Sequence, residues 1–179
     1  MRIDRVFEFE IGVELTENIQ ALLIKGFPGV YPEDRIYFKQ VPQFRFLAFN
    51  DENELVGQVG LDYRVMNLNG KAIRVLGVID LCVSQNERSQ GLGSRLLVEI
   101  DTFTIGKNID FHLLFADNMA LYLKNGYKRV ENRVKWLKIN DESQTTNGIG
   151  HEAISELMIK EVNEMRWTEG ELDLLGYLY

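Results

Sequence analysis

Apolar and polar residues alternate along this chain with two periods, and the switches between them outline its elements. Residues 5–11 set Val6, Glu8 and Glu10 against Phe7, Phe9 and Ile11, a period of two that predicts a first strand. Thr16-Glu17-Asn18 then opens a helix through Ile19, Leu22, Leu23 and Ile24, stopped by Gly26 and Pro28. Pro32-Glu33-Asp34 reads as the start of a second, short helix. Residues 44–49 and 54–65 read as strands around a turn at 50–53, and Asn67-Leu68-Asn69-Gly70 supplies a hairpin turn. The near-continuous apolar run 72–83 has the character of a strand buried on both faces. A helix follows over 90–106, with Leu92, Leu96, Leu97 and Ile100 on one side, then a strand at 109–115 and a short helix at 117–125 ended by Gly126. Alternation resumes over 127–139. The polar, glycine-bearing stretch 141–150 predicts a loop. Residues 154–162 fit a strand or a helix, with a strand preferred, and 167–179 close the chain. This order predicts one α+β (α/β) domain over 1–179, a single twisted sheet with helices on its faces.

Composition narrows the class. Of the 179 residues, 45% are hydrophobic and 26% charged, the balance of a soluble globular domain with a sizeable core. No apolar run approaches a bilayer span, and the charged start Met1–Arg5 leads into no apolar signal core, so a cytoplasmic address without membrane contact is expected. A net charge of −7 argues against binding a nucleic-acid backbone and is compatible with drawing in a cationic substrate, although acidity for solubility alone is the simpler explanation. The sole cysteine, Cys82, sits in an apolar strand and reads as a small core hydrophobe rather than a nucleophile. With two widely separated histidines it gives no metal spacing, and no metal is expected. His112, in an apolar strand, and His151, in a polar stretch, read as structural or surface groups. The sequence leaves oligomeric state open, a homodimer included.

The chemistry concentrates in residues 75–97, VLGVIDLCVSQNERSQGLGSRLL. A buried strand passes through a polar turn into Arg88-Ser89-Gln90-Gly91-Leu92-Gly93 and directly into a helix. The first turn of a helix carries N–H groups with no internal partner and a partial positive charge. Glycines at 91 and 93 keep side chains away from those donors, and Arg88 adds a fixed charge. The arrangement forms a cradle for a pyrophosphate; the plain alternative is a tight glycine turn beside a surface arginine. A dinucleotide fingerprint would need a third glycine and a P-loop a Gly-Lys-Ser/Thr, and neither is present.

The run I-D-L-x-V followed by R-S-Q-G-L-G-S-R-L-L resembles motif A of the GNAT N-acetyltransferases, with its Arg/Gln-x-x-Gly-x-Gly/Ala signature. Residues 116–127, ADNMALYLKNGY, are similar to motif B of the same family. The resemblance implies a mixed, mostly antiparallel, splayed sheet with helices on both faces, and acetyl-CoA as cosubstrate. It implies that backbone groups around Leu81, Cys82 and Val83 hold the pantetheine arm. The amides of Arg88, Ser89, Gln90, Gly91, Leu92, Gly93 and Ser94 would hold the pyrophosphate, with Asn118 approaching from motif B. Tyr122 would protonate the departing thiolate, a role a phenol protonated at neutral pH can fill, with simple core packing as the alternative. The implied reaction is direct attack by a neutral amine, with a backbone N–H near Leu81 stabilising the oxyanion. Many relatives place a glutamate where this chain has Ile79. Asp80 is then the nearest carboxylate for the base; a strand acid satisfied by its neighbours, or a water chain as base, are the alternatives.

For the acceptor, residues 79–97, Leu121-Tyr122 and the tail Ser155-Glu156-Leu157-Met158…Trp167…Gly170…Asp173 are similar to the aminoglycoside 2′-N-acetyltransferase branch, and more weakly to nodulation-type N-acyltransferases. That likeness implies a small-molecule amine substrate, bound in part by the terminal carboxylate of Tyr179, whose alternative is packing of the last element. The carboxylates Glu161, Glu164, Glu169, Glu171 and Asp173 would suit a polyamine or aminoglycoside, or form a solvated face. Two other functions fit the motifs: an acyl-CoA-binding module with a sensor or protein-interaction role and little turnover, and acylation of a protein N-terminus or lysine.

Overall fold

The computed structural model describes residues 1–179. Its elements are strands β1 (Arg2–Phe7), β2 (Phe44–Phe49), β3 (Leu55–Leu68), β4 (Lys71–Val83), β5 (Phe111–Phe115), β6 (Lys128–Arg129), β7 (Asn132–Ile139), β8 (Thr146–Ala153), β9 (Leu157–Glu161) and β10 (Gly170–Tyr177), with helices α1 (Val13–Gly26), α2 (Leu92–Thr104) and α3 (Ala120–Lys124). The ten strands form a mixed, mostly antiparallel sheet. No helix is long and apolar enough to cross a membrane. Two compact units interleave along the chain: Met1–Asp62 with Val78–Ile100, and Tyr63–Gly77 with Asp101–Tyr179.

In the first unit β1 pairs antiparallel with β2, Arg2 opposite Phe49 through Phe7 opposite Phe44, and β2 pairs antiparallel with β3. The expected strand over 5–11 therefore starts earlier and ends at Phe7. Glu8–Glu10 turn into a 3₁₀ helix, because the Glu8 carboxylate reaches to Arg45 and Phe9 is left 84% exposed. Helix α1 begins at Val13 behind Gly12, ahead of the Thr16 start, and buries Ile19, Leu22 and Leu23 against Tyr31, Ile36, Leu47 and Cys82. No helix forms at Pro32-Glu33-Asp34. That segment is pinned by its apolar residues, Tyr31 and Ile36, and by Gln20, whose side-chain amide donates to Glu33 O.

In the second unit β5 lies parallel to β4 at Val75–Gly77 and antiparallel to β9, which pairs antiparallel with β6. β10 pairs antiparallel with β3 and parallel with β7, and β7 pairs antiparallel with β8. Its core joins Phe111, Leu113, Leu157, Ile159, Val134, Leu172 and Leu174. The β3–β4 turn is the expected Asn-Gly hairpin, with Asn69 at φ 52° and Gly70 at φ 85°. Of the loop expected at 141–150, the first half is turn and the second half is strand: β8 begins at Thr146. Ladder pairing needs only backbone groups, and Gly150 lets the Trp136 ring lie directly over it.

Candidate active site

Strand β4 delivers the candidate residues to one end of the first unit. Ser84 N–H donates to Val56 O at 2.8 Å, and a 3₁₀ turn over Gln85–Glu87 follows, closed by Glu87 N–H to Ser84 O and Arg88 N–H to Gln85 O. Ser89 (φ 63°) and Gly91 (φ 84°) both sit in the left-handed region. α2 then starts, its entry fixed by the buried Leu92, which lies with Leu96 over Gly57. Arg95 N–H makes the first bond back, to Gly91 O at 3.0 Å, so Leu92 and Gly93 present their N–H groups ahead of the helical ladder. A Cβ at residue 91 would meet no protein atom within 4 Å. The glycine is thus required by backbone conformation, and the space before it is open. Open space, left-handed glycine and helix N-terminus together fit the diphosphate that the resemblance calls for. Arg88 is exposed; its amide is bonded to Gln85 O, which leaves its guanidinium as the group it could offer an anion, with Nε donating to Val83 O at 3.3 Å.

Just upstream, Asp80 stands in β4 at φ 51°, a left-handed residue inside a strand. Its Oδ2 accepts from the Tyr31 hydroxyl at 2.9 Å, and its carbonyl accepts from the Gln58 side-chain amide. Burial raises the pKa of Asp80, opposed by the Tyr31 hydrogen bond and by the positive charges of Arg45 and Lys39. Burial also raises the Tyr31 phenol, with Asp80 adding to it. Leu81 and Val83 are half-buried, while Cys82 is buried and its thiol is pushed up to about 12, chiefly by burial, as a core cysteine should be. Ile79 is buried too, its Cγ1 lying 2.8 Å from where a Cβ on Gly60 would stand. An apolar side chain fills this position, so Asp80 is the carboxylate that β4 offers here.

Asn118, Tyr122 and Tyr179 belong to the second unit. Asn118 is exposed, and its Oδ1 accepts from Ala120 N–H at 3.2 Å, tying down the start of α3. Tyr122 is half-buried in α3, its ring edge-on to Tyr127 at 5.8 Å. Tyr127 is buried, and its hydroxyl lies 3.3 Å from His112 Nδ1, whose Nε2 lies 3.2 Å from Thr104 Oγ1. Burial, aided by Lys160, lowers the His112 pKa to about 3, so this imidazole is a neutral structural group. His151 pairs with Glu171 at the surface. The Tyr179 ring is packed: it lies where Gly77 lacks a Cβ, and its hydroxyl accepts from Arg64 Nε at 3.1 Å, with that guanidinium 4.4 Å from the ring centres of both Tyr177 and Tyr179. In the acidic tail, Glu161 is bound by Lys128 and Arg166, and Asp173 by Lys135. Tyr31, Gln58 and Arg45 were not singled out by the sequence, because only the folded chain brings them to Asp80.

A family model described as an acetyltransferase (GNAT) domain matches residues 13–130. Among solved structures, the chain is similar to the GNAT family N-acetyltransferase YhbS from Escherichia coli in complex with CoA, at 16% identity and a TM-score of 0.63, covering 97% of this chain and 89% of that one. It is similar to Tetrahymena GCN5 at 15% identity and a TM-score of 0.59, covering 93% and 99%. Escherichia coli ElaA matches at 15% identity and a TM-score of 0.59, covering 89% and 99%. At these identities the likeness is one of fold.

Proposed function

This chain belongs to the GNAT acetyltransferase family, and on that premise we propose that it moves an acetyl group from acetyl-CoA to the primary amine of a cationic small molecule. The observation that carries the reading is the turn into α2, where a left-handed Gly91 opens onto empty space before the first helical N–H groups. The CoA held by the YhbS neighbour supports it. When bound, acetyl-CoA supplies an activated thioester. The chain supplies the rest. The N–H groups at the start of α2 and the Arg88 guanidinium hold the diphosphate. Backbone groups of Leu81 and Val83 orient the pantetheine arm. The Asp80 carboxylate takes a proton from the amine, and return of a proton to the leaving sulfur is the role that the motif B resemblance gives the Tyr122 hydroxyl.

A net charge of −7 favours a cationic acceptor by long-range attraction. Of the tail carboxylates, Glu161 and Asp173 already hold cations of the chain, so the attraction rests on the field of the remaining acidic residues. The likeness of the tail to aminoglycoside 2′-N-acetyltransferases favours an aminoglycoside among such amines. The test is thiol release from acetyl-CoA against aminoglycosides, polyamines and small amines, with Tyr122→Phe alongside. Release with at least one cationic amine, lost in Tyr122→Phe while CoA still binds, is expected. Binding of CoA without release across the panel would favour the sensor function, and no calorimetric affinity for CoA in the folded protein would overturn both.

A further inference from the structure

Asp80 is held from two directions by groups remote in sequence. Its carboxylate takes the Tyr31 hydroxyl at 2.9 Å, from the irregular segment between α1 and β2. Its carbonyl takes the side-chain amide of Gln58, on β3. Gln58 Oε1 in turn accepts from Arg45 Nη1 at 2.8 Å, and Arg45 Nε and Nη2 grip both oxygens of Glu8 at 2.8 and 2.9 Å. Arg45 Nη2 also donates to Ile36 O at 2.5 Å. With a donor on one side and an acceptor on the other, the Gln58 amide has one orientation that satisfies both. Arg45 is 1% exposed and Gln58 fully buried.

A buried ion pair with its amide is a poor way to gain stability, since apolar residues of the same volume do as well or better. A left-handed aspartate inside a strand costs energy too, and persists only where its surroundings enforce it. Both features converge on one residue, and Asp80 keeps part of its surface open. We propose that Tyr31 and the Glu8–Arg45–Gln58 chain are positioning residues that fix Asp80 as proton acceptor for the incoming amine. This rests on the role given to Asp80 above.

The charged and titratable groups facing Asp80 are Tyr31, Arg45, Lys39, Glu8 and, beside it on β4, Cys82. Tyr31, Arg45 and Lys39 favour the carboxylate, whereas burial and Glu8 oppose it. Removing the Tyr31 hydroxyl therefore raises the pH at which Asp80 ionises. The experiment measures kcat of Tyr31→Phe relative to wild type from pH 6 to 9, with acetyl-CoA and whichever amine of the panel the wild-type protein acetylates fastest. Taking the ratio cancels the ionisation of the amine itself. The variant keeps the ring that packs on Phe27 and Phe38. A deficit of at most about tenfold, greatest at the acidic end and closing as pH rises, is expected from losing one hydrogen bond to a charged group. Gln58→Met, which breaks the chain one step from Asp80, lowers kcat at every pH while KM for acetyl-CoA holds. A Tyr31→Phe ratio that does not change with pH, in a protein that Asp80→Asn inactivates, overturns the inference and leaves the base intact. Wild-type turnover in Asp80→Asn removes the base itself, and a wild-type protein that acetylates none of the panel overturns the reading beneath both.

Discussion

Replacing Gly91 by alanine separates what its backbone costs from what its open space is for. At φ 84° an alanine is strained by about 1–2 kcal/mol, whatever surrounds it. No atom lies within 4 Å of the new Cβ, so no steric term adds to that. For a chain of this size the loss should lower Tm by about 3–6 °C. Gly106 is a matched control, exposed, at φ 68° and equally without neighbours, so Gly106→Ala should lose stability by a similar amount. Affinity for CoA should part them. In Gly91→Ala the methyl group enters the space before the α2 amides and displaces one or two charge-assisted hydrogen bonds, weakening Kd by about ten- to a hundredfold. In Gly106→Ala Kd should stay at its wild-type value. Thermal melts and isothermal calorimetry with CoA read both quantities. Equal affinities in the two variants would refute the cradle, even if both melts shift as expected.

Stability should fall with acid more steeply than surface carboxylates alone would cause. The His112 pKa is lowered to about 3 in the folded chain by burial and Lys160, against an ordinary value of 6.5. Its contribution is therefore fully present above pH 6.5 and is lost as pH drops toward 3. Urea unfolding at pH 6.5 and pH 4.5 should differ by about 2–3 kcal/mol more in wild type than in His112→Gln, and identical slopes would remove His112 as the cause. Gly77→Ala should cost about 1–3 kcal/mol because its methyl group meets the Tyr179 ring. In a Tyr179→Ala background the same substitution should cost little, and an undiminished cost would show that the ring is not what it strikes.

Structure was legible in the sequence where it is local. The turn at 88–94 and the helix that follows it are contiguous, so glycine spacing and apolar periodicity report them directly. The Asn69-Gly70 turn is read in the same way. Residues 5–11 misled because alternation describes side chains, whereas the strand ends where Glu8 turns aside to Arg45, 37 residues away. The stretch 146–150 misled for the opposite reason: its small and polar side chains look like a loop, yet β8 pairs through backbone groups with β7. Tyr31, 49 residues from Asp80, left no mark in the pattern at all. A tyrosine among Phe27, Ile36 and Phe38 reads as core, and only the fold reveals that its hydroxyl is aimed at the carboxylate of β4.

The state of Cys82 bears on how this enzyme can be measured. It is the sole thiol of the chain, 6% exposed and held up to about 12. A disulfide reagent that colours on contact with free sulfhydryl should find nothing to react with in the native protein. Every equivalent of signal in a release assay then counts liberated coenzyme, without a blank for the catalyst, and resistance to alkylating agents carries no message about the reaction.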